Sequence, residues 1–290
     1  MDASVSPKEV MAAAIAHDLR DGQWVEVGAN LPVPRAGALL AHLHHGPDMT
    51  VMIAMTKAYL RDTPVIEEFE FITDVGAMRW AEAYYQHDQL LNNQRHRANG
   101  VFFCGGIQID RFGNSNLIGI GEDHGRLTFR GPGAIGTCNA TVQNGRWHLV
   151  TTAQNPRVLV DRVDFVSALG YGRGEPNLRA ELGLPNDGPA SIVTPLCVFD
   201  FDEETRAARL KSVHPGVTKD EVVEKTGFEV LIPETVPTTD GPTPEELVLL
   251  RTRIDAKGGV AAMRSAPDTP LPPASRSTTP PTRETQERND

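Results

Sequence analysis

Apolar residues recur along the chain at spacings that are typical of helices in some segments and of strands in others. The first signal is a capping box, in which Ser6 caps, Pro7 takes the first helical position and Glu9 closes the box. The apolar residues that follow are spaced by four and mark one buried face: Met11, Ile15 and Leu19. This pattern predicts a helix that begins at Pro7.

Short apolar runs then alternate with helical segments. "QWVEVGAN" (23–30) and "DMTVMIAM" (48–55) are typical of strands, the second of the buried parallel type, and residues 35–45 between them predict a second helix. "VFFCGGIQID" (101–110) predicts a strand, and "NSNLIGIG" (114–121) predicts its partner after a turn. This order predicts an α/β fold, an open and mostly parallel sheet flanked by helices on both faces.

Two later segments carry capped helix starts of the same kind. In the first, Thr218 caps and Glu221 closes the box, and Val222 and Val223 are expected to point inward. In the second, "TPEELVLLRTRID" (243–255), a threonine caps, a proline takes the first position and a glutamate closes the box: Thr243, Pro244 and Glu246. Its apolar stripe consists of Leu247, Leu250 and Ile254.

Composition narrows the function mainly by exclusion. The chain has 290 residues and a net charge of -10 at pH 7, so an electrostatic grip on nucleic acid is not expected. No apolar run reaches the roughly 18 residues of a membrane-spanning helix, and the N-terminus lacks the pattern of a signal peptide. The cysteines show no metal or disulfide spacing, which indicates reduced thiols in a cytoplasm: Cys104, Cys138 and Cys197.

The end of the chain differs from the rest. Prolines, serines, threonines and charges dominate residues 258–290, and almost no side chain there can be buried. Such a segment cannot offset the entropy lost on ordering, so it is expected to be a disordered tail. Residues 1–257 are then expected to form the folded α/β domain.

The segment with the strongest indication of chemistry is "CGGIQIDRFGNSN" (104–116). Ligands bind at the strand ends of an open α/β sheet, and a glycine pair there lets a ligand approach the backbone. Free N–H groups at Gly105, Gly106 and Ile107 and the amide of Gln108 are therefore candidates to stabilise an oxyanion. The alternative is a bulge and a turn without a ligand. The remaining polar and glycine residues are expected to build the turn: Asp110, Gly113, Asn114 and Asn116.

Four motifs in this order carry a family resemblance: "GGIQIDRFGNSN", "VDFVSALGYG", "VFDF" and "HPGVTKDEVVEKTGFEV". Over roughly residues 7–257 the chain resembles the β-type subunit of the family I coenzyme A transferases. It is closer still to the β-type subunit of the steroid-ring-opening CoA hydrolases, which share that fold. The resemblance implies an α-type partner subunit, in a heterodimer or α2β2 heterotetramer, and an active site between the two chains. Coenzyme A would enter as part of the substrate, and no tightly bound cofactor is expected.

The chain departs from the transferase pattern at the nucleophile. Transferases of this family carry a glutamate just after the second strand, whose carboxylate attacks the acyl-CoA and ends as a glutamyl-CoA thioester. The matching residues here are Ala54, Met55, Thr56 and Lys57, none of which has a carboxylate. The nearby run of Glu67, Glu68 and Glu70 is more typical of a solvated face and is only a weak candidate for a base.

Without that glutamate, activation of water is favoured over transfer, and this reaction needs a general base and an oxyanion site. The resemblance to the steroid-ring-opening hydrolases implies that this base lies on the partner subunit. Two alternatives stay open: a CoA transferase subunit with a displaced nucleophile, and a non-catalytic subunit that only scaffolds the α-type chain.

Other candidate groups have an ordinary structural interpretation beside the chemical one. "RGPGAIGTCNA" (130–140) is a glycine-rich turn whose N–H groups are candidates to hold a phosphate or the thioester region of CoA, through Gly131, Gly133 and Gly136. His42 and His45 lie one helical turn apart, yet no acid or cysteine lies nearby, so no metal site is expected. Cys104 is expected to be a buried packing thiol, and the acids of "FDFDEE" (199–204) a solvated turn.

Overall fold

A computed structural model describes residues 5–53, 99–134, 136–256 and 258. The helices are α1 Pro7–Asp18, α2 Pro32–His44, α3 Thr137–Gln143, α4 Leu178–Glu181, α5 Lys219–Glu224 and α6 Pro244–Leu249, and α6 continues into a π-helical turn at Leu250–Ile254. The strands are β1 Trp24–Val27, β2 Thr50–Ile53, β3 Gly100–Cys104, β4 Gln108–Asp110, β5 Ser115–Asn116, β6 Gly119–Gly121, β7 Leu127–Arg130, β8 Arg146–Val150, β9 Leu159–Val160, β10 Pro189–Val193, β11 Cys197–Phe201 and β12 Ala208–Val213.

The main sheet of the described residues has seven strands in the order β12-β11-β10-β8-β3-β1-β2. The strands from β10 to β2 are parallel to one another, and β11 is the antiparallel strand between β10 and β12. This is the open, mostly parallel α/β sheet that the strand–helix–strand pattern predicts. The carboxyl ends of β1, β3 and β8 therefore lie side by side at one edge.

Each face of the sheet has its own apolar core. On one face, α1 and α2 pack over alternate residues of the central strands, among them Val25, Val101 and Phe103. On the other face, Phe102, Trp147 and Phe199 pack beneath the smaller sheet and the segments that follow it. Burial on both faces explains why the strands read as continuous apolar runs in the sequence.

The helix starts agree with the sequence pattern. Two of the three predicted capping boxes form, at Ser6 with Glu9 and at Thr243 with Glu246. The box predicted at Thr218 is only half formed, because the Glu221 carboxylate accepts from Lys225 Nζ at 2.8 Å and does not return to the cap. At α5, Thr218 accepts a hydrogen bond from the Glu221 N–H, and Val222 is fully buried, whereas Val223 is 43% exposed. The prediction that both valines point inward is wrong for Val223, because adjacent residues of a helix lie about 100° apart and only one can face a core on one side.

The predicted strand at 101–110 is two strands in different sheets. β3 ends at Cys104, and the chain leaves the main sheet at the glycine pair. β4 then pairs with β5 on one side and with β9 on the other, so that a three-stranded sheet forms beside the carboxyl edge. The predicted partner strand is also divided, since β6 pairs with β7 in a separate hairpin. The predicted second helix is three residues longer at its start, at Pro32.

None of the helices in the described ranges has the length and apolar character needed to cross a bilayer. The same ranges contain no cluster of three or more His, Cys, Asp or Glu side chains that is placed to hold a metal ion. The expected tail falls at 258–290, of which only Gly258 lies within the described residues.

Candidate active site

The candidate site is the carboxyl edge of the main sheet, where β3 passes into β4. Gly28, just beyond β1, donates its N–H to the Phe103 carbonyl at 2.9 Å and so extends the ladder between the two strands. A side chain on Gly28 would meet that carbonyl at 3.1 Å and a Leu31 methyl at 3.2 Å. Among the described residues, this part of the edge is lined by backbone and by Leu31, which precedes α2. Such an edge is where ligands bind in open α/β sheets.

The two glycines of the pair differ in what they allow. A Cβ on Gly105 would lie 3.2 Å from Leu31 Cδ2 and 3.3 Å from the Val150 carbonyl oxygen, which a small shift can relieve. A Cβ on Gly106 would lie 2.6 Å from both the Gln108 carbonyl oxygen and Ser115 Oγ, closer than any side chain tolerates. Gly106 is therefore required by packing alone, and its presence is not by itself a sign of a ligand.

The N–H groups at this turn are not all free. Ile107 donates to the Asn116 carbonyl at 2.8 Å, so the expectation of a free N–H at Ile107 is wrong: β5 returns alongside the turn and uses it. For Gly105 and Gly106, no backbone acceptor lies within reach among the residues that the structure describes. The oxyanion donors expected from the sequence are thereby reduced to these two N–H groups and the Gln108 amide.

Gln108 is buried and its side chain is held in one orientation. Its Oε1 accepts from Asn116 Nδ2 at 2.7 Å and from the Asp164 N–H at 3.0 Å. Because the oxygen side of the amide is fixed by two donors, Nε2 is directed the other way and remains a donor with a defined direction. Asn116 is in turn fixed through its own oxygen, which accepts from the Ile118 N–H at 2.9 Å.

Three of the four residues that the sequence suggested build the turn, whereas Asn116 lies in β5, where it pairs with Gln108. Asp110 Oδ1 accepts from the N–H groups of Phe112 and Asn114, both at 3.0 Å, and Gly113 has a φ of 69° that favours glycine. Asn114 Nδ2 donates to Asp110 Oδ2 at 2.9 Å. Burial raises the pKa of Asp110 above its ordinary value, while the hydrogen bonds it accepts oppose that rise. Asp110 is accordingly a structural carboxylate of the turn.

The glycine-rich segment before α3 lies beside Leu117 and Ile118, the two residues that follow β5. Gly131 donates its N–H to the Ile118 carbonyl and Gly133 to the Leu117 carbonyl, both at 2.8 Å. These two N–H groups are therefore engaged within the protein. Gly136 caps α3 with a φ of 73°, a left-handed conformation that favours glycine.

A sequence profile of the family described as Coenzyme A transferase matches residues 8–225, which include every element of this edge. The chain belongs to the coenzyme A transferase family. It is 32% identical over 250 residues to the B subunit of 3-oxoadipate CoA-transferase from Pseudomonas knackmussii, with 85% of this chain and 92% of that protein covered. It is 30% identical over 256 residues to the cholesterol ring-cleaving hydrolase IpdB subunit of Mycobacterium tuberculosis, with 86% and 94% covered.

A solved structure supports the same assignment. Glutaconate coenzyme A-transferase from Acidaminococcus fermentans superposes with a TM-score of 0.78 at 27% identity, over 90% of this chain and 99% of that chain. The fold is thus the CoA transferase fold, and along its length this chain corresponds to the β-type subunits of the family. The relatives named include transferases and a hydrolase, so membership alone does not choose between the two reactions.

The position of the transferase nucleophile lies outside the described residues. β2 ends at Ile53, and Ala54 is the first of the residues 54–98 that the structure does not describe. Glu67, Glu68 and Glu70, the weak candidates for a base, fall in the same range. The absence of a glutamate at 54–57 therefore rests on the sequence itself.

The other candidates have the ordinary roles that were favoured for them. Cys104 is buried, its thiol donates to the His148 carbonyl at 3.7 Å, and burial raises its pKa, so it is not a thiolate nucleophile. His45 Nε2 lies 3.1 Å from the Leu19 carbonyl oxygen, which ties α2 to the end of α1. Asp202 accepts from the N–H groups of Glu204 and Thr205 at 3.1 and 2.9 Å and forms an exposed turn after β11.

One buried acid was not anticipated from the sequence. Glu26 on β1 is 3% exposed, and burial raises its pKa to about 7. Its Oε2 accepts a hydrogen bond from Asn144 Nδ2 at 2.8 Å. The only signal of this buried acid in the sequence was the single glutamate within "WVEV". A charged residue is rare in a strand that is buried on both faces. Glu26 is level with Phe102 in the middle of β3, so it lies in the core and not at the carboxyl edge.

Proposed function

We propose that this chain is the β-type subunit of a heteromeric enzyme that acts on an acyl-CoA thioester, and that water is its acceptor. The observation that carries the proposal is the sequence Ala54–Met55–Thr56–Lys57 after β2, which has no carboxylate where the family resemblance places the glutamate of a transferase. A covalent CoA transfer needs that carboxylate to form the glutamyl-CoA thioester. Hydrolysis needs only a base and a site for the developing negative charge.

The carboxyl edge supplies that second requirement. In this proposal the N–H groups of Gly105 and Gly106 and the Nε2 of Gln108 point to the oxygen of the attacked carbonyl. One such donor is worth roughly 3 kcal/mol in the transition state, which corresponds to about a 100-fold change in rate. The clamp of Asn116 and Asp164 on Gln108 Oε1 supports the role, because a fixed donor needs no reorganisation during the reaction.

Coenzyme A is part of the substrate in this proposal and is not a tightly bound cofactor. Its thioester or phosphate region would pass the glycine-rich turn at Gly131, Gly133 and Gly136. The N–H groups of Gly131 and Gly133 are engaged internally, and a Cβ on Gly131 would collide with the Leu117 carbonyl. In this proposal Gly133 would therefore contribute close approach of the backbone, Gly136 its N–H group, and Gly131 the shape of the turn.

The partner is an α-type subunit, which the naming of the relatives as B subunits supports. We place the general base on that partner and the complex in the cytoplasm. The IpdB relative is a subunit of a cholesterol ring-cleaving hydrolase, which supports a ring-opening hydrolysis of a CoA-activated cyclic substrate such as a steroid fragment.

The second candidate is transfer of CoA between two carboxylic acids. Its support is the 32% identity to the B subunit of 3-oxoadipate CoA-transferase and the structural match to glutaconate CoA-transferase. Transfer requires a displaced nucleophile, for which Glu67 and Glu68 are the nearest acids on the C-terminal side other than Asp62.

A trapping experiment distinguishes the two candidates. The chain is co-purified with its α-type partner, incubated with acyl-CoA and treated with borohydride, which reduces an enzyme-bound thioester and inactivates a transferase. Hydrolysis predicts that the mass of this chain and the activity are unchanged. A reduced glutamate mapped to any acid of this chain would establish the transferase reaction in its place.

A further inference from the structure

A cavity of about 360 Å³ lies on the α1 face of the sheet and extends to Phe103 and Val193, near the carboxyl ends of β3 and β10. It is bounded by the end of α1, by the middle of β8 and β10, and by residues 237–240. Its floor is a row of cross-strand neighbours, in which Phe103 of β3 is paired with His148 of β8, and His148 with Ser191 of β10. None of these groups takes part in the function proposed above.

Three side chains in this cavity form a connected set. Ser191 Oγ lies 2.8 Å from His148 Nδ1, within hydrogen-bonding distance. On the other side of the ring, His148 Nε2 lies 3.4 Å from Asp18 Oδ2. The Phe103 ring stacks on the imidazole, with 5.0 Å between the ring centroids and 17° between the planes. The imidazole is thereby fixed between a hydroxyl and a carboxylate, the three groups of a serine-hydrolase triad, but with the serine at Nδ1 and the carboxylate at Nε2, the reverse of the usual assignment of the two ring nitrogens.

The charges around the ring determine where its proton lies. Arg146 Nη2 donates to Asp18 Oδ1 at 2.7 Å, and this charged hydrogen bond favours the ionised carboxylate. An ionised Asp18 favours the imidazole tautomer with the proton on Nε2, so Nδ1 is left to accept from the Ser191 hydroxyl. Burial lowers the pKa of His148 to about 4, so the ring is neutral near pH 7 and its Nδ1 is unprotonated.

The gap between His148 and Asp18 is informative as well. His148 Nε2 and Asp18 Oδ2 are both buried, and neither has a hydrogen-bond partner in the part of the chain that the structure describes. The two atoms face each other slightly beyond hydrogen-bonding distance. An imidazole that gained a second proton from Ser191 would attract the carboxylate and close this gap. The carboxylate therefore favours the charged ring that forms when Ser191 gives up its proton.

We propose that Ser191, His148 and Asp18 form a second, hydrolytic site on this chain, which cleaves short-chain carboxylic esters. Ser191 Oγ attacks the ester carbonyl and its proton passes to His148 Nδ1. The alcohol leaves with that proton, and an acyl-serine remains. His148 then takes a proton from water, the hydroxide attacks the acyl-serine, and the carboxylic acid is released as the proton returns to Ser191.

The cavity walls indicate the size and kind of substrate. Val193, Val198 and Ile15 form apolar walls, and the volume accommodates a short acyl chain with a small alcohol group. Lys211 also lines the cavity, and its charge acts on both Asp18 and His148. In the proposed site Lys211 provides the positive charge that stabilises the tetrahedral oxyanion.

The test uses the full chain co-purified with its α-type partner and a fluorophosphonate probe, which phosphonylates an activated serine. Mass spectrometry of the labelled protein without substitutions should map one label per chain, at Ser191. Hydrolysis of p-nitrophenyl acetate should be lost in Ser191→Ala and should fall by about 100-fold or more in His148→Asn, the range for loss of a general base. Asp18→Asn should reduce both labelling and hydrolysis.

Ser212→Ala is the matched control. Ser212 lines the same cavity, but its hydroxyl is bound to Thr239 Oγ1 at 2.7 Å and not to His148, so labelling at Ser191 should persist. The position of the label in the protein without substitutions does not depend on whether any variant folds. A label on another residue, no label at all, or an unchanged labelling rate in folded His148→Asn would overturn the proposal.

Discussion

At the scale of single residues, the candidate site depends on which groups are free and which are engaged. The sequence correctly suggested the turn formers Asp110, Gly113 and Asn114, because the preference of such residues for tight turns is local. It did not show that the Ile107 N–H is used by Asn116, since that bond forms only when β5 folds back. The role of Gln108 as a hydrogen-bond donor can be tested by a single substitution.

Gln108→Glu is expected to remove a donor without disturbing the fold. A carboxylate can still accept from Asn116 Nδ2 and the Asp164 N–H, but it has no Nε2 to donate and it repels an oxyanion. Turnover of acyl-CoA by the co-purified complex should fall by about 100-fold or more. The melting temperature should fall as well, because the new carboxylate is buried, and a cooperative thermal transition shows that the variant is folded. Gln143→Glu, at the end of α3, controls for the added charge. Normal turnover in a folded Gln108→Glu protein would return Gln108 to a structural role.

Glu26 predicts a dependence of stability on pH. Its folded pKa of about 7 lies above the ordinary 4.5, so the folded state keeps a proton that the unfolded chain loses in this range. The stability of the natural protein should therefore fall as the pH rises from 4.5 to about 7, by about 3 kcal/mol from this group.

Glu26→Gln should remove that dependence. The glutamine oxygen can accept the same hydrogen bond from Asn144, and the variant has nothing to titrate at this position. Urea unfolding should show equal stability near pH 4 and a gain of about 3 kcal/mol for the variant near pH 8. His148 has a lowered folded pKa, so its contribution makes the stability rise with pH. This contribution is the same in both proteins and cancels in the difference between them. A constant difference across this range would show that Glu26 does not titrate as its burial predicts.

At the scale of elements, local signals were sufficient for the helices and insufficient for the sheet. The capped starts at Ser6 and Thr243 were predicted correctly because a cap and its partner lie three residues apart. The division of residues 101–110 between two sheets was not predicted, because β4 leaves the main sheet to pair with β9, about 50 residues later in the chain. The glycine pair marked the break in the sequence, but not the direction that the chain takes after it.

The packing of α1 on α2 depends on Gly37. A Cβ at this position would lie 2.7 Å from the Ala12 carbonyl oxygen and 2.7 Å from Ile15 Cγ2. Gly37→Ala should therefore destabilise the protein by about 1–3 kcal/mol, although alanine is favoured over glycine within a helix by roughly 1 kcal/mol. Thermal or urea unfolding measures the change. Gly241→Ala, where a Cβ meets no atom within 4 Å, is the control and should be near neutral. A stabilised Gly37→Ala variant would show that the two helices are not closely packed.

At the scale of the whole molecule, the function proposed above divides the active site between this chain and its α-type partner. Among the described residues, the carboxyl edge provides hydrogen-bond donors, namely the N–H groups of Gly105 and Gly106 and the Gln108 amide. The general base of the proposed reaction is not one of these residues. A β-type subunit that depends on an α-type partner accounts for this arrangement. We expect the chain expressed alone to self-associate or to lack acyl-CoA turnover.

The division of the chain at residue 258 is also open to test. Residues 259–290 carry the Pro, Ser, Thr and charge composition of a segment that does not fold, and the family match ends at residue 225. A chain truncated after Gly258 should keep its melting temperature and its turnover with the partner. Loss of either would show that the tail contributes to folding or to assembly.

The central claim is that water is the acceptor, and one measurement tests it most directly. The complex is incubated with its acyl-CoA substrate in water enriched in heavy oxygen, without any added carboxylate, and the products are analysed by mass spectrometry. Hydrolysis predicts turnover under these conditions, with one heavy oxygen atom in the product acid or in the ring-opened acyl-CoA. Turnover that occurs only after a carboxylate such as acetate or succinate is added, with CoA transferred to that acid, would contradict it.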